Sequence, residues 1–211
     1  MRNINDITWL PNIPNQNYWA NTISGFKWGY HTNTTRFPET PLEWTGKTAI
    51  LNSGWYDIIG PTDRVNEIMA PLCEHAGIPS ASCNSKAEFS CGITLPSLYF
   101  ELGNYWFEVQ QKHYTEWATT ENDNSKCRIR IEANDDIGHW SLGLAFMQGW
   151  YIIHQYSTNK IGFVPHTTST NSVPICTTIE ACNFSIETNI EQGTDTEVIT
   201  VVEEKYIINE I

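Results

Sequence analysis

The sequence predicts an all-β protein with one minor helix, and three observations carry that reading. Leu98, Phe100 and Leu102 alternate with Tyr99 and Glu101; after Gly103-Asn104, Tyr105, Phe107 and Val109 alternate again, which is the pattern of a tight β-hairpin. Only Val65, Ile68, Met69 and Leu72 fall at the i, i+3, i+4, i+7 spacing of an amphipathic helix, and no βαβ alternation or internal repeat surrounds them. Nine Trp and nine Tyr in 211 residues favour aromatic packing on strands or an aromatic-lined groove.

Each element is read from local pattern. Trp9, Tyr18, Trp19, Ile23, Phe26 and Trp28, set among Pro11, Pro14, Asn15 and Gly25, predict extended segments over residues 7–30. Lys47 to Leu51 predicts a short apolar strand leading into a turn. Pro61-Thr62-Asp63 suits a helix's first turn, and Gly77-Ile78-Pro79 ends that helix. Residues 115–138 are polar and read as loop. Trp150 to Tyr156 and Lys160 to Val164 predict two strands around the turn Ser157-Thr158-Asn159. From His166 the composition changes, to Ser/Thr-rich and then Glu-rich. Residues 166–211 are therefore expected to be an appendage, loosely ordered or pinned by a small Cys176–Cys182 loop, with Val198 to Val202 able to pair as a strand.

Composition limits function. A formal net charge of -12 without a basic run disfavours nucleic acid and anionic membranes as partners. No apolar run approaches the length of a membrane span, and the first residues lack a signal peptide's apolar region. The even set Cys73, Cys83, Cys91, Cys127, Cys176 and Cys182 favours disulfides and an oxidising compartment, with connectivity open. Two sequons at Asn33 and Asn183 fit secretion. A secreted composition without a leader is most simply read as the later part of a longer chain. No CxxC or HxxxH occurs, so no metal ligand set and no cofactor is expected; the six histidines, His31, His75, His113, His139, His154 and His166, read as solvated or core residues. Asp135-Asp136 reads as a solvated loop.

Several blocks, in order, resemble the C-terminal lobe of pepsin-like aspartic proteases. Thr8-Trp9-Leu10-Pro11 with Tyr18-Trp19 resembles the crossing into that lobe. Thr48-Ala49-Ile50-Leu51-Asn52-Ser53-Gly54 is similar to the hydrophobic strand and Asp-Thr/Ser-Gly turn, and Ile58-Ile59-Gly60-Pro61 to the segment just beyond that turn. Leu95-Pro96-Ser97-Leu98-Tyr99-Phe100, Gly103 and Tyr114 resemble the later hairpin. Trp140-Ser141-Leu142-Gly143, Tyr151 to Tyr156 and Asn159-Lys160-Ile161-Gly162-Phe163 resemble the closing strand with its hydrophobic-hydrophobic-Gly block and the final hairpin. The resemblance implies a single lobe of the pepsin-like β-barrel fold over residues 1–165. It pairs Cys91 with Cys127, which leaves Cys73–Cys83 as a local bridge. It also implies extended polypeptide substrates, a secreted, lysosomal or vacuolar location, and a first lobe as partner, in the same longer chain or another subunit.

In the family, two lobes each donate one aspartate; the pair shares a proton and activates a water between them. Here Asn52 stands at the aspartate's position, with Ser53 and Gly54 completing the turn and Leu142-Gly143 pressed beneath it. An amide does not ionise near neutrality, so it serves as neither general acid nor general base. Trp55-Tyr56 replace small hydroxylated residues, which removes the hydroxyl beside the acid and sets an indole at the cleft floor; both rings are expected to pack rather than stack on a ligand. Leu144 follows Gly143 where the family commonly has Asp. Without the surrounding blocks, Asn52 would read as an ordinary left-handed turn asparagine. The expected function is an aspartic endopeptidase lobe, inactive as the chain stands. The alternatives are a non-catalytic pseudo-protease that binds peptides or partner proteins, and a structural domain. Restoring the acid alone is not expected to restore activity, because Trp55 also crowds the site.

Overall fold

A computed structural model describes residues 7–15, 17–29, 37–38, 40–118, 125–166 and 174–177. An eight-stranded sheet dominates, in the order β10-β4-β11-β3-β2-β6-β7-β14. Its strands are β2 (Ala20–Trp28), β3 (Leu42–Leu51), β4 (Ile58–Gly60), β6 (Leu98–Leu102), β7 (Tyr105–Val109), β10 (Ile131–Ala133), β11 (Trp140–Leu142) and β14 (Ile175–Cys176). A second sheet, β1-β13-β12, joins β1 (Thr8–Pro11), β13 (Lys160–Pro165) and β12 (Trp150–Gln155). A third, β5-β9-β8, joins β5 (Glu88–Ser90), β9 (Lys126–Ile129) and β8 (Thr115–Trp117). The chain is strand-rich, as the sequence predicts.

The expected hairpins form where the alternation placed them. Leu98, Phe100 and Leu102 are buried and pair with Val109, Phe107 and Tyr105 across Gly103-Asn104, with Gly103 at φ 59°. The helix α1 spans Thr62–Ala76 and buries Val65, Ile68, Met69 and Leu72. Gly77, at φ 73°, closes it in the left-handed conformation, as a glycine C-cap does. The N-terminal end is held from a distance: Asp135 Oδ1 accepts the Thr62 N–H at 2.8 Å, and that bond lowers the carboxyl's pKa.

Three expectations need correction. Residues 115–138 are not simply loop, because β8, β9 and β10 lie within them. These strands have only three or four residues, and just alternate side chains such as Cys127 and Ile129 are buried, so a short-range pattern barely registers. The strand before the turn begins at Leu42 rather than Lys47, because its first half buries Trp44 while exposing Glu43, Thr45 and Gly46. Helix α1 is joined by two single-turn helices, α2 (Gln111–Tyr114) and α3 (Leu144–Met147). Within the expected appendage, β14 adds to the main sheet by pairing Ile175 with Trp106 and Cys176 with Tyr105. Val198 to Val202 and both sequons lie outside the described residues.

The core is aromatic. Trp140 is fully buried, stacks on Trp44 at 5.2 Å and 13°, and meets Phe100 edge-on. Its ring also covers Gly60, where any Cβ would collide with it. This packing lies under the strands that carry the turn at 52–57.

Candidate active-site turn

Strand β11 lies between β3 and β4, parallel to the first and antiparallel to the second. Ser141 faces Ile50 on one side and Ile59 on the other; Leu142 faces Leu51 and Ile58. The segment joining β3 to β4 must therefore pass over the end of β11, and backbone bonds fasten it there. Asn52 N–H donates to Leu142 O at 3.0 Å, and Trp55 N–H to Asn52 O at 3.3 Å. In return Gly143, Leu144 and Ala145 N–H donate to the carbonyls of Asp57, Trp55 and Tyr56 at 3.2, 2.9 and 2.8 Å. The crossing is close enough that a Cβ on Gly143 would lie 2.7 Å from Trp55 O, so only glycine fits without moving the turn. Leu144, the residue after it, opens α3 rather than presenting a charge.

The Asn52 side chain is held at both ends. Its Oδ1 accepts the Gly54 N–H at 3.1 Å, and its Nδ2 donates to Ser141 Oγ at 3.1 Å. Asn52 is not left-handed: among the described residues, only Asn15 and Asn159 are non-glycine residues with positive φ. The change to Trp55 predicts that position 52 has no hydroxyl beside it. A hydroxyl is present, but it comes from the neighbouring strand, because Ser141 is buried with its Oγ on the Asn52 side chain. Sequence reasoning missed Ser141. The signal was a polar residue at the first position of the hydrophobic-hydrophobic-Gly block, Ser141-Leu142-Gly143.

Ser53 and Gly54 are exposed. Trp55 and Tyr56 are expected to pack, and in this lobe they do so only in part: they are 48% and 63% exposed. Tyr56 lies over Arg130, with the guanidinium carbon 4.9 Å from the ring centre. Arg130 is itself buried and pairs with Asp57 at 3.3 Å and Glu116 at 3.5 Å, tying the far end of the turn to β8. Arg128 also pairs with Glu116.

The second exposed aromatic set is on the β1-β13-β12 sheet. Tyr151 and Ile153 are exposed on one side of β12, and on its other side Trp19 stacks on His154 at 4.6 Å and meets the exposed Tyr156, just past the strand, edge-on. Trp19 O accepts the Leu51 N–H at 2.9 Å, so this face adjoins the strand end that carries Asn52. Two surface concavities of about 490 and 640 Å³ lie elsewhere, and neither is lined by a residue of the turn.

Cys91–Cys127 and Cys73–Cys83 are both bonded. Cys176 is also disulfide-bonded, and Cys182 lies outside the described residues. Among the described residues no three His, Cys, Asp or Glu side chains gather as a metal site, and no helix is long and apolar enough to cross a membrane. His113 is buried with Nδ1 unpartnered; burial, with Lys112 and His166 nearby, pushes its pKa down to about 4. His31 lies outside the described residues.

The family model of eukaryotic aspartyl proteases matches residues 4–166. The chain belongs to that family. Similar proteins include plasmepsin VII of Plasmodium falciparum, 24% identical over 187 residues, and penicillopepsin-3 of Penicillium janthinellum, 22% identical over 159 residues. Each alignment covers 75% of this chain but only 38% and 37% of the relative. A probable aspartic-type endopeptidase of Arthroderma otae is 21% identical over 147 residues, 68% of this chain and 37% of that protein. The chain thus spans well under half the length of these curated relatives. It is a pepsin-like aspartic protease lobe.

Proposed function

We propose that this chain is the C-terminal lobe of an aspartic endopeptidase whose contribution to the catalytic pair is lost at Asn52, so that alone it hydrolyses no peptide bond. One observation carries this reading: the side chain at the tip of the turn, fixed between Gly54 and Ser141, is an amide. The acid-base step needs a group that gives up and takes back a proton, and an amide does neither. Loss of one member of a catalytic unit removes most of its rate enhancement. Ser53 and Gly54 keep the form of the turn, and Leu142 and Gly143 support it from below.

The partner is a first lobe, from the same longer chain or another subunit. The exposed aromatics of the turn and of the β1-β13-β12 sheet support this, since exposed apolar patches mark interaction faces. Polypeptides held extended between the lobes are the substrate class. No cofactor is invoked, because in this family the chemistry is carried by carboxylates and water. The disulfides support an oxidising compartment, whether secreted, lysosomal or vacuolar. The test is hydrolysis of acid-denatured globin by the full 211-residue chain at pH 3–5. No cleavage is expected, and cleavage blocked by a statine-containing peptide overturns the reading.

The exposure of Trp55 and Tyr56 favours a second reading, a pseudo-protease that binds peptides without cutting them. Quenching of tryptophan fluorescence by a statine-containing peptide, lost in Trp55→Ala, supports it; an unchanged spectrum at saturating peptide excludes it.

A further inference from the structure

The geometry points to Ser141 as a positioning residue for position 52: its hydroxyl, delivered from β11, stands in for the turn hydroxyl displaced by Trp55, in a setting that suits a carboxylate better than the amide now present. This rests on reading 52–57 as a protease turn. Two groups address the side chain at 52. The Gly54 N–H is a backbone donor and can only donate, so it holds Oδ1 on its own side. That leaves Nδ2 against Ser141 Oγ, which must then act as acceptor. Its own proton finds no acceptor among the described residues, in a residue only 4% exposed. A buried donor without an acceptor is unfavourable, and a buried hydroxyl between the fully buried Trp140 and Leu142 has no packing reason to be there.

A carboxylate at 52 removes the mismatch. One oxygen accepts the Gly54 N–H, the other accepts the Ser141 O–H, and every proton has an acceptor. Two donors converge on one anion, which favours its charged form. The hydroxyl is held in place because Ser141 pairs on both sides, with β3 and β4. The other charges beside the turn, Asp57 and Arg130, pair with each other and are common to every variant compared.

The experiment uses the full chain carrying Asn52→Asp, with Ser141 intact, with Ser141→Ala and with Ser141→Thr. The titration of the new carboxyl carbon is followed by NMR. With Ser141 the midpoint is expected below the ordinary Asp value; Ser141→Ala raises it by roughly one pH unit, and Ser141→Thr brings it back. Equal midpoints with Ser141 and with Ser141→Ala overturn the proposal. If Ser141→Ala does not fold, the unaltered chain decides. The Asn52 side-chain amide proton on Ser141 should exchange with solvent more slowly than that of a free asparagine, and exchange of both amide protons at the free rate overturns the proposal. Neither readout involves peptide binding or turnover. Failure here leaves the proposed function standing, and proteolysis by the unaltered chain overturns that function without touching this bond.

Discussion

Aromatic side chains fill two regions of this lobe and do opposite things in them. Beneath the turn, Trp44, Phe100 and Trp140 are buried and stacked. On the β1-β13-β12 sheet and the turn itself, Tyr151, Tyr156, Trp55 and Tyr56 stand in solvent. The first group holds the strands that define the turn. The second adds little to the fold of this lobe, and the proposed function assigns it to the partner lobe. Aromatic richness in one sequence thus covers both packed and exposed rings, and only burial separates them.

The largest test of this contrast is Trp140→Ala, expected to cost roughly 3–5 kcal/mol in urea denaturation by emptying the space over Gly60. Removing Cys91–Cys127, which closes a separation of 36 residues, is expected to cost roughly 2–4 kcal/mol in the same measurement. Gly143→Ala should cost roughly 1–3 kcal/mol, because its Cβ pushes into the carbonyls of the turn. A neutral effect there would mean the turn is not seated on β11.

The interior also carries an acid sensitivity, at His113. His113 has a folded pKa of about 4 against an ordinary value of 6.5, so between those values the unfolded chain binds the extra proton. Stability should therefore fall as pH drops from about 6.5 towards 4, and His113→Gln should flatten that limb in melts monitored across pH. The smallest effect is on the exposed face: Tyr156→Ser should change stability in urea denaturation by no more than about 0.5 kcal/mol. A Tyr156→Ser cost rivalling that of Trp140→Ala would erase the distinction between the regions.

Much of the fold was legible because its signals are local. Gly103-Asn104 between alternating strands, the apolar stripe of α1 and Gly77 at its end each need only a few neighbouring residues to be read. The strands β8 and β9 escaped because their pairing is with each other and with β5, across stretches of polar sequence. The turn was legible as Asn52-Ser53-Gly54, but its surroundings were not. Arg130 reaches Asp57 across 73 residues, and Ser141 reaches Asn52 across 89. No local pattern reports contacts at such separations.

The sequence by itself determined the β-rich class, the single long helix, the family likeness and the amide at position 52. All are set by residue identity or by the period of neighbouring side chains. Tertiary structure decided what surrounds that amide. Only the threading of β11 between β3 and β4 brings Gly143 under the turn and a buried hydroxyl to Asn52. Only burial shows that much of Trp55 and Tyr56 is left exposed in this lobe. The reason is physical: hydrogen bonds and solvent exposure depend on distance through space, which the chain sets by folding and not by order along it.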